Sequence, residues 1–387
     1  MDRLFDWTDS GERVGAVLSG SKFPIPLPSA GVEAYDAERT LCLQLDPLKR
    51  LNYDRYLLAR RSSASVDYLP IKLDIENVSR CNFRCTMCVV SDWDKGKRAE
   101  DLPVENFKAL IDEQYGLVEF KIQGLGEPTM QGEHLLQMIR YARERHIWVR
   151  TVTNGSRLHL KDFFRDYVDT GVNEIQISFD GANAEVFEAI RRQSDFEQIS
   201  KNCRALNDYC RQAGKRMTKM WTLVQEKNRH QLLDLVEVAD RLGFRDLAYS
   251  FTLIGWGSEH WLHANNAVQT DDRYRFDLLH RVKRRGDELG IRVGFWLCDA
   301  KYSHFSARTR CPWPFERAMV TSDMRVVPCC TISNPDSFEI GNQGGSIFSE
   351  TWFGEEYRSF RQAHLDGDVP EVCRSCYISL DETAGDD

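Results

Sequence analysis

Cys81-Asn82-Phe83-Arg84-Cys85-Thr86-Met87-Cys88 follows closely on Ile71-Lys72-Leu73-Asp74-Ile75-Glu76, a run that reads as a buried β-strand. The spacing CxxxCxxC supplies three thiols. A four-iron four-sulfur cluster takes four cysteine ligands, so three leave one iron open to a ligand from outside the protein. A cofactor can be activated at such an open iron. A structural zinc, which prefers four ligands in a closed tetrahedral site, is the other reading of clustered cysteines. Spacing alone leaves it open.

About 40 residues on, Val118-Glu119-Phe120-Lys121-Ile122-Gln123 reads as a second buried strand and runs into Gly124-Leu125-Gly126-Glu127-Pro128. Glycines at such a turn let the backbone approach a ligand closely. Strand, cysteine loop, helix, strand, then GxGEP is an order that a zinc site does not predict. The cysteine octapeptide and the GxGEP segment together resemble the radical S-adenosylmethionine enzymes. One departure is Met87, which stands where that family usually has an aromatic residue before the third cysteine; its soft sulfur can still pack against a ring.

The resemblance implies that Cys81, Cys85 and Cys88 hold a 4Fe-4S cluster whose open iron binds S-adenosylmethionine. It further implies a 5′-deoxyadenosyl radical that takes hydrogen from substrate carbon. Gly124, Gly126 and Glu127 would then hold the cofactor's ammonium, with Glu127 making a charge-assisted contact. A one-electron reductant such as flavodoxin or ferredoxin is implied as a partner.

Apolar strand-like runs alternate with helical patterns along the chain, which points to βα units and a parallel sheet. Strands are expected near 71–76, 118–123, 148–153, 174–179, 218–224 and 246–253. Leu135, Ile139 and Ala142 recur at helical spacing, as do Leu232, Leu235, Val236, Ala239 and Leu242 before a stop at Gly243. Six units fall short of the eight in a closed barrel. The fold class is therefore α/β, and the resemblance implies a partial six-fold (β/α) barrel of TIM type with its site at the carboxyl ends of the strands. The third and fourth expected strands end at Thr153-Asn154-Gly155-Ser156 and Ile177-Ser178-Phe179-Asp180. By resemblance Asn154 lines the cofactor site, Ser178 bonds its ribose or carboxylate, and Arg191, or Arg192 in its place, pairs with the carboxylate.

A second cysteine group lies near the other end: Cys311, Cys329-Cys330, and Cys373-Arg374-Ser375-Cys376. The arrangement resembles the auxiliary-cluster extension of the same family, called a twitch domain with one cluster and a SPASM domain with two. It implies one auxiliary 4Fe-4S cluster on Cys311, Cys329, Cys373 and Cys376, with Cys330 as the alternative ligand. A cluster with four protein thiolates has no site for substrate, so its expected role is to move an electron. The domains expected are an N-terminal extension (1–69), the barrel core (70–255), a bridging region (256–310) and the auxiliary domain (311–387).

Composition fits a large enzyme of the reducing cytoplasm. The 387 residues carry a net charge of −8, from 51 basic and 59 acidic side chains, so no global basic field argues for nucleic acid. No run approaches the roughly 20 apolar residues of a membrane span, and the first residues lack the form of a signal peptide. Twelve cysteines in that setting mean metal or redox chemistry rather than disulfides.

The substrate is the least determined feature. Gly255-Trp256-Gly257-Ser258-Glu259-His260-Trp261 is expected at the barrel mouth, where aromatic surface beside hydrogen-bonding groups suits a polar ligand. Packing of Trp256 and Trp261 against the bridge is the competing expectation. Phe23-Pro24-Ile25-Pro26-Leu27-Pro28 is expected to lie extended on the surface. With no peptide-binding module recognised in residues 1–70, the leading expectation is two-electron oxidation of a sugar, polyol or aminocyclitol. The alternatives are a peptide maturase and an epimerase in which a thiol, with Cys298 the candidate, returns hydrogen to the substrate.

Overall fold

The computed structural model describes residues 32–93, 100–272, 275–296, 302–342 and 347–377. Its centre is one mostly parallel sheet built from the six expected strands: β1 (Lys72–Ile75), β2 (Glu119–Ile122), β3 (Trp148–Thr153), β4 (Glu174–Ser178), β5 (Thr218–Leu223) and β6 (Asp246–Ser250). These pair in sequence order, each parallel to the next.

The sheet continues at both ends. On one side β7 (Arg292–Trp296) adds in parallel to β6. The stretch expected only to bridge two domains thus also supplies a seventh unit. Its strand is short and carries Gly294 at its centre, which weakens the strand signal in the sequence. On the other side β8 (Arg317–Val320) pairs in parallel with β1, and β9 (Arg325–Val327) and β10 (Gly341–Asn342) follow antiparallel. The auxiliary segment is therefore an extension of the barrel wall.

Alternation along the strands sets the two faces apart. Leu73, Ile75, Phe120, Ile122, Val149, Ile175, Ile177, Met220 and Leu247 are fully buried against the surrounding helices. Those include α3 (Val104–Glu113), α4 (Glu133–Arg143), α7 (Phe196–Gln212) and α8 (Leu232–Arg241), numbered with α1 (Val32–Leu45), α2 (Pro47–Ala59), α5 (Phe163–Asp169) and α6 (Ala184–Ile190). Leu135, Ile139, Ala142, Leu232, Leu235, Val236 and Ala239 all lie on the buried stripes that the spacing marked.

The inner face is charged. Residues two apart point the same way in a strand, so Lys72, Glu119, Arg150, Glu174 and Lys219 converge as a floor. Lys72 reaches Glu119 at 3.7 Å and Glu316 at 3.8 Å, Arg150 bridges Glu119 at 3.2 Å and Glu174 at 3.0 Å, and Lys219 meets Glu174 at 3.1 Å. Every floor charge has an opposite partner, as burial demands.

Helices α1 and α2 close the amino end of the barrel. Asp46 caps α2 through Leu48 N and Lys49 N, with Pro47 at its first turn. From α2, Lys49 donates to Leu117 O at 2.6 Å and Tyr56 donates to Glu316 at 2.7 Å. The run Phe23–Pro28 and Cys298 lie outside the described residues. Among those described, no helix is long and apolar enough to cross a membrane.

Candidate active site

The three cysteines sit on a loop that leaves the carboxyl end of β1 and is held from the far side of the barrel. Arg84–Cys85 and Arg191–Arg192 form a two-residue antiparallel ladder, and Thr86 N donates to Ile190 O at 2.9 Å. Within the loop, Cys88 N donates to Cys85 O at 3.1 Å and Ser91 Oγ to Cys85 O at 2.5 Å. Burial pushes all three thiols up, Cys88 to about 12, and Cys81 and Cys88 are raised further by their neighbours in the trio. The trio therefore stands close enough for mutual electrostatic influence. Thiols in this state release protons when they take a metal.

Arg191 is central to the loop's electrostatics. Its guanidinium meets Asp180 at 2.7 Å and approaches Cys85 Sγ at 3.9 Å. Burial disfavours its charge, but Asp180 and Cys85 outweigh that and raise its pKa. A fixed cation beside Cys85 favours the thiolate that a metal needs. Sequence placed Arg191 at the site but did not name these two partners. Asp180, quoted in the sequence as part of the fourth strand's end, was given no role there, and its role is to hold Arg191. Arg192 turns away, donating to Arg84 O at 2.8 Å while exposed.

Glu127 is buried and already occupied by four protein donors. It accepts from Thr129 N at 3.2 Å, Thr129 Oγ1 at 2.6 Å, Thr153 Oγ1 at 2.6 Å and Asn154 N at 2.7 Å. The side chain thereby ties the GxGEP turn to the end of β3. Burial raises its pKa against those four bonds.

The glycines before it have a local reason. A Cβ at Gly126 would stand 1.9 Å from Val78 O and 2.8 Å from Arg80 O, and one at Gly124 would stand 2.4 Å from the Glu76 side chain. The close approach is to the chain's own cysteine-loop stem. Gly126→Ala must displace backbone, so it is expected to lower stability by about 1–3 kcal/mol or more, read as a drop in the thermal unfolding midpoint. Glu76, quoted in the sequence only as the end of the first strand, accepts from Leu125 N at 2.9 Å and from Ser322 Oγ at 3.0 Å. It joins the GxGEP segment to the β8–β9 turn.

Asn154 links the third strand end to the cysteine loop. Its amide donates to Asn82 Oδ1 at 3.0 Å, and Asn82 donates to Ser156 Oγ at 2.9 Å. Gly155, at φ +76°, supplies the left-handed turn that this return needs. Ser178 ends β4 partly exposed, in register with Trp221 on β5.

The loop at 255–263 packs down onto the cysteines. Trp256 Nε1 donates to Met87 O at 2.9 Å, and Asn265 of α9 (Glu259–Asn266) donates to the same carbonyl at 3.2 Å. Trp261 packs with Val89, Val90 and Leu125, and Cys81, Cys88 and Trp256 lie against that cluster. Of the two expectations for this segment, packing describes both tryptophans, though the surface they cover is the cysteine loop.

The second thiol group gathers from three places: Cys311 before the helical turn Trp313–Glu316, Cys329 after β9, and Cys373 and Cys376 in the last turn. Burial raises Cys311, and Cys329, Cys376 and Cys373 raise it further. Cys329, pushed up to about 11, feels burial and then Cys376. Cys330 feels burial, then Asp74 and Cys329, with Lys121 and Arg317 acting the other way. Cys330 thus lies within electrostatic reach of the barrel residues Asp74, Lys121 and Arg317, and it packs with Cys311 and Cys329 against Trp313, Met319 and Val327. Tyr377 Oη accepts from Cys311 N at 3.1 Å and shares a hydrogen bond of 2.7 Å with His364. Among the described residues no three His, Cys, Asp or Glu side chains are drawn close enough to hold a single ion.

Comparison with known proteins agrees with this geometry. Residues 77–239 match the radical SAM superfamily, and residues 311–377 match SPASM, an iron-sulfur cluster-binding domain. Over 330 residues the chain is 31% identical to the mycofactocin maturase MftC of Mycolicibacterium smegmatis, covering 79% of this chain and 75% of that protein. It is 33% identical over 213 residues to MftC of Mycobacterium tuberculosis, 52% of this chain and 51% of that protein. Against GTP 3′,8-cyclase of Ectopseudomonas mendocina it is 27% identical over 58% of this chain and 67% of the other.

Among solved structures, Streptococcus suis SuiB bound to precursor peptide SuiA superposes with a TM-score of 0.62 at 12% identity, covering 80% of this chain and 70% of SuiB. anSMEcpe with bound AdoMet and a peptide gives 0.59 at 17%, covering 82% and 92%. At such identities the likeness is one of fold. The chain belongs to the radical SAM superfamily with a C-terminal SPASM domain, and it binds S-adenosylmethionine and a 4Fe-4S cluster in the first part and auxiliary iron-sulfur in the second.

Proposed function

We propose that the chain carries out a net two-electron oxidation of a peptide, with Cys81, Cys85 and Cys88 holding the cofactor cluster and Cys311, Cys329, Cys373 and Cys376 holding one auxiliary cluster. The observation that carries the oxidation is the placement of the two thiol groups. One leaves β1 at its carboxyl end, and the other flanks β8, which is hydrogen-bonded to β1. When bound, these groups supply one-electron chemistry, hydrogen abstraction at the first and electron removal at the second.

The chain's residues prepare the site for that chemistry. Arg191 favours the thiolate of Cys85, Glu127 fixes the GxGEP turn, and the Asn82–Asn154–Ser156 chain pins the loop to the strand end. Kinship with a maturase over 79% of the chain moves a peptide ahead of the sugar or aminocyclitol that the sequence first favoured.

Anaerobic incubation of the reconstituted enzyme with reductant, S-adenosylmethionine and short peptides tests this by mass spectrometry. The expected result is 5′-deoxyadenosine together with a peptide two mass units lighter. Unchanged peptides beside a dehydrogenated polyol would overturn the peptide reading. Solvent deuterium in recovered substrate, lost in Cys298→Ala, would replace oxidation with epimerisation.

The ligand set has its own check. Cys329→Ala is expected to lower iron from about eight to about four atoms per chain, and Cys330→Ala to leave about eight. The reverse pattern would make Cys330 the ligand.

A further inference from the structure

One layer above the paired floor, the lumen changes character. Lys121 lies on β2 two residues past Glu119, so it points inward, toward the carboxyl end where Gly124 begins. Unlike the floor residues, Lys121 makes no hydrogen bond and no ion pair with any described residue. Asp74, Cys330 and Glu174 act on it electrostatically, and Arg150 opposes its charge. The Asp74 carboxylate in its turn accepts from the Gln123 side chain.

Across the lumen the wall is aromatic. Trp221 stands two residues past the floor residue Lys219 on the same strand face, and Trp296 on β7 is in register with Ser250 of β6. The two indole rings lie 5.8 Å apart. Lys121, Trp221 and Trp296 are each partly exposed on an inward strand face, and Gln123 and Cys330 are partly exposed near Lys121, so the layer opens to the carboxyl end of the barrel.

We infer that this layer is the substrate pocket, and that Lys121 binds a carboxylate of the substrate while Trp221 and Trp296 take a flat apolar group beside it. An ammonium held inside a protein without a partner is costly, and an anionic oxygen from the substrate removes that cost. Asp74 nearby opposes any anion, and opposes a doubly charged phosphate more than a singly charged carboxylate, so a singly charged planar acceptor suits the site better. Burial, and after it Arg150, lowers the pKa of Lys121, which a bound carboxylate would reverse. The inference deepens the proposed peptide reading by placing the substrate in this lumen and naming which of its chemical groups enters.

The test uses the reconstituted holoenzyme with S-adenosylmethionine bound and an isosteric probe pair, phenylacetate and phenylacetamide, followed by equilibrium dialysis. The carboxylate is expected to bind at least about tenfold tighter than the amide, and Lys121→Met to abolish that difference. Equal binding of the pair, no binding of either, or a preference that survives in Lys121→Met would overturn the assignment. Should the variant fail to fold, acetylation of Lys121 in the wild-type enzyme carries the same test. Protection by phenylacetate but not by phenylacetamide supports the pocket, and equal labelling in both overturns it. No turnover is needed, so Lys121-dependent binding without peptide oxidation would sink the proposed reaction and leave this pocket standing.

Discussion

Cys81→Ala, reconstituted anaerobically with iron and sulfide, is expected to form no detectable 5′-deoxyadenosine under conditions where the wild-type chain does. Its iron should fall from about eight to about four atoms per chain, because one cluster loses a ligand from a set of three that has none to spare. Cys81 lies against the Val89–Trp261 cluster and within hydrogen-bonding reach of Asn154, so the neighbouring groups cannot shift a new donor into its place without breaking the loop. The auxiliary thiols sit on separate elements and should keep their cluster. A variant that retains cofactor cleavage, or that loses all iron, would contradict the assignment of two independent groups. Cleavage is read as nucleoside by mass spectrometry and iron by a colorimetric count.

Glu316→Ala should be the most damaging substitution outside the cysteines. Glu316 is fully buried, and it accepts from Tyr56 at 2.7 Å and Arg61 at 3.1 Å while pairing with Lys72 at 3.8 Å and Arg317 at 3.2 Å. Removing it takes a counter-charge from buried Arg61 and from largely buried Arg317, and leaves buried Lys72 to Glu119, at an expected cost of about 3–5 kcal/mol. Since whole domains are stable by only about 5–15 kcal/mol, much of the variant should be insoluble or melt far below the wild type. Glu316→Gln keeps the shape and the acceptor for Tyr56 but not the charge, and should fall between them.

The same group gives a pH dependence. Burial would raise the Glu316 pKa, but Lys72, Arg61 and Arg317 overcome it and hold the carboxyl at about 2, against an ordinary 4.5. Glu174, between Arg150 and Lys219, is likewise held at about 2. A carboxyl with a depressed folded value contributes stability that is full above its unfolded pKa and lost as the folded value is approached. Stability should therefore fall steadily from about pH 4.5 toward pH 2, and the fall should be shallower in Glu316→Gln. Denaturant unfolding at a series of pH values measures both.

The six core strands, the helices between them and both cysteine groups were legible because they rest on local pattern. Alternation, helical spacing and short CxxC-type intervals are properties of adjacent residues, and the apolar stripes of α4 and α8 match their sequence spacing. Nothing local in the sequence shows what Lys72, Glu119, Arg150, Glu174 and Lys219 pair with. Each finds its partner on a neighbouring strand or in the auxiliary segment, at sequence separations that no window spans. The roles of Asp180 and Glu76 were missed for the same reason, since their work is to hold Arg191 and to join Leu125 to Ser322.

Sequence by itself determined the chemistry available: three thiols before a GxGEP turn, a second thiol group near the far end, and enough βα units for an open barrel. Only the tertiary structure decided which face each charge takes, that β8 continues the wall beside β1, that Cys330 comes within electrostatic reach of Asp74 and Lys121, and that Lys121 makes no ion pair with any described residue while Trp221 and Trp296 share its lumen. The division follows from range. Backbone conformation and ligand type are set by neighbours in the chain, whereas partnership and exposure are set by strands that meet only after the sheet has formed.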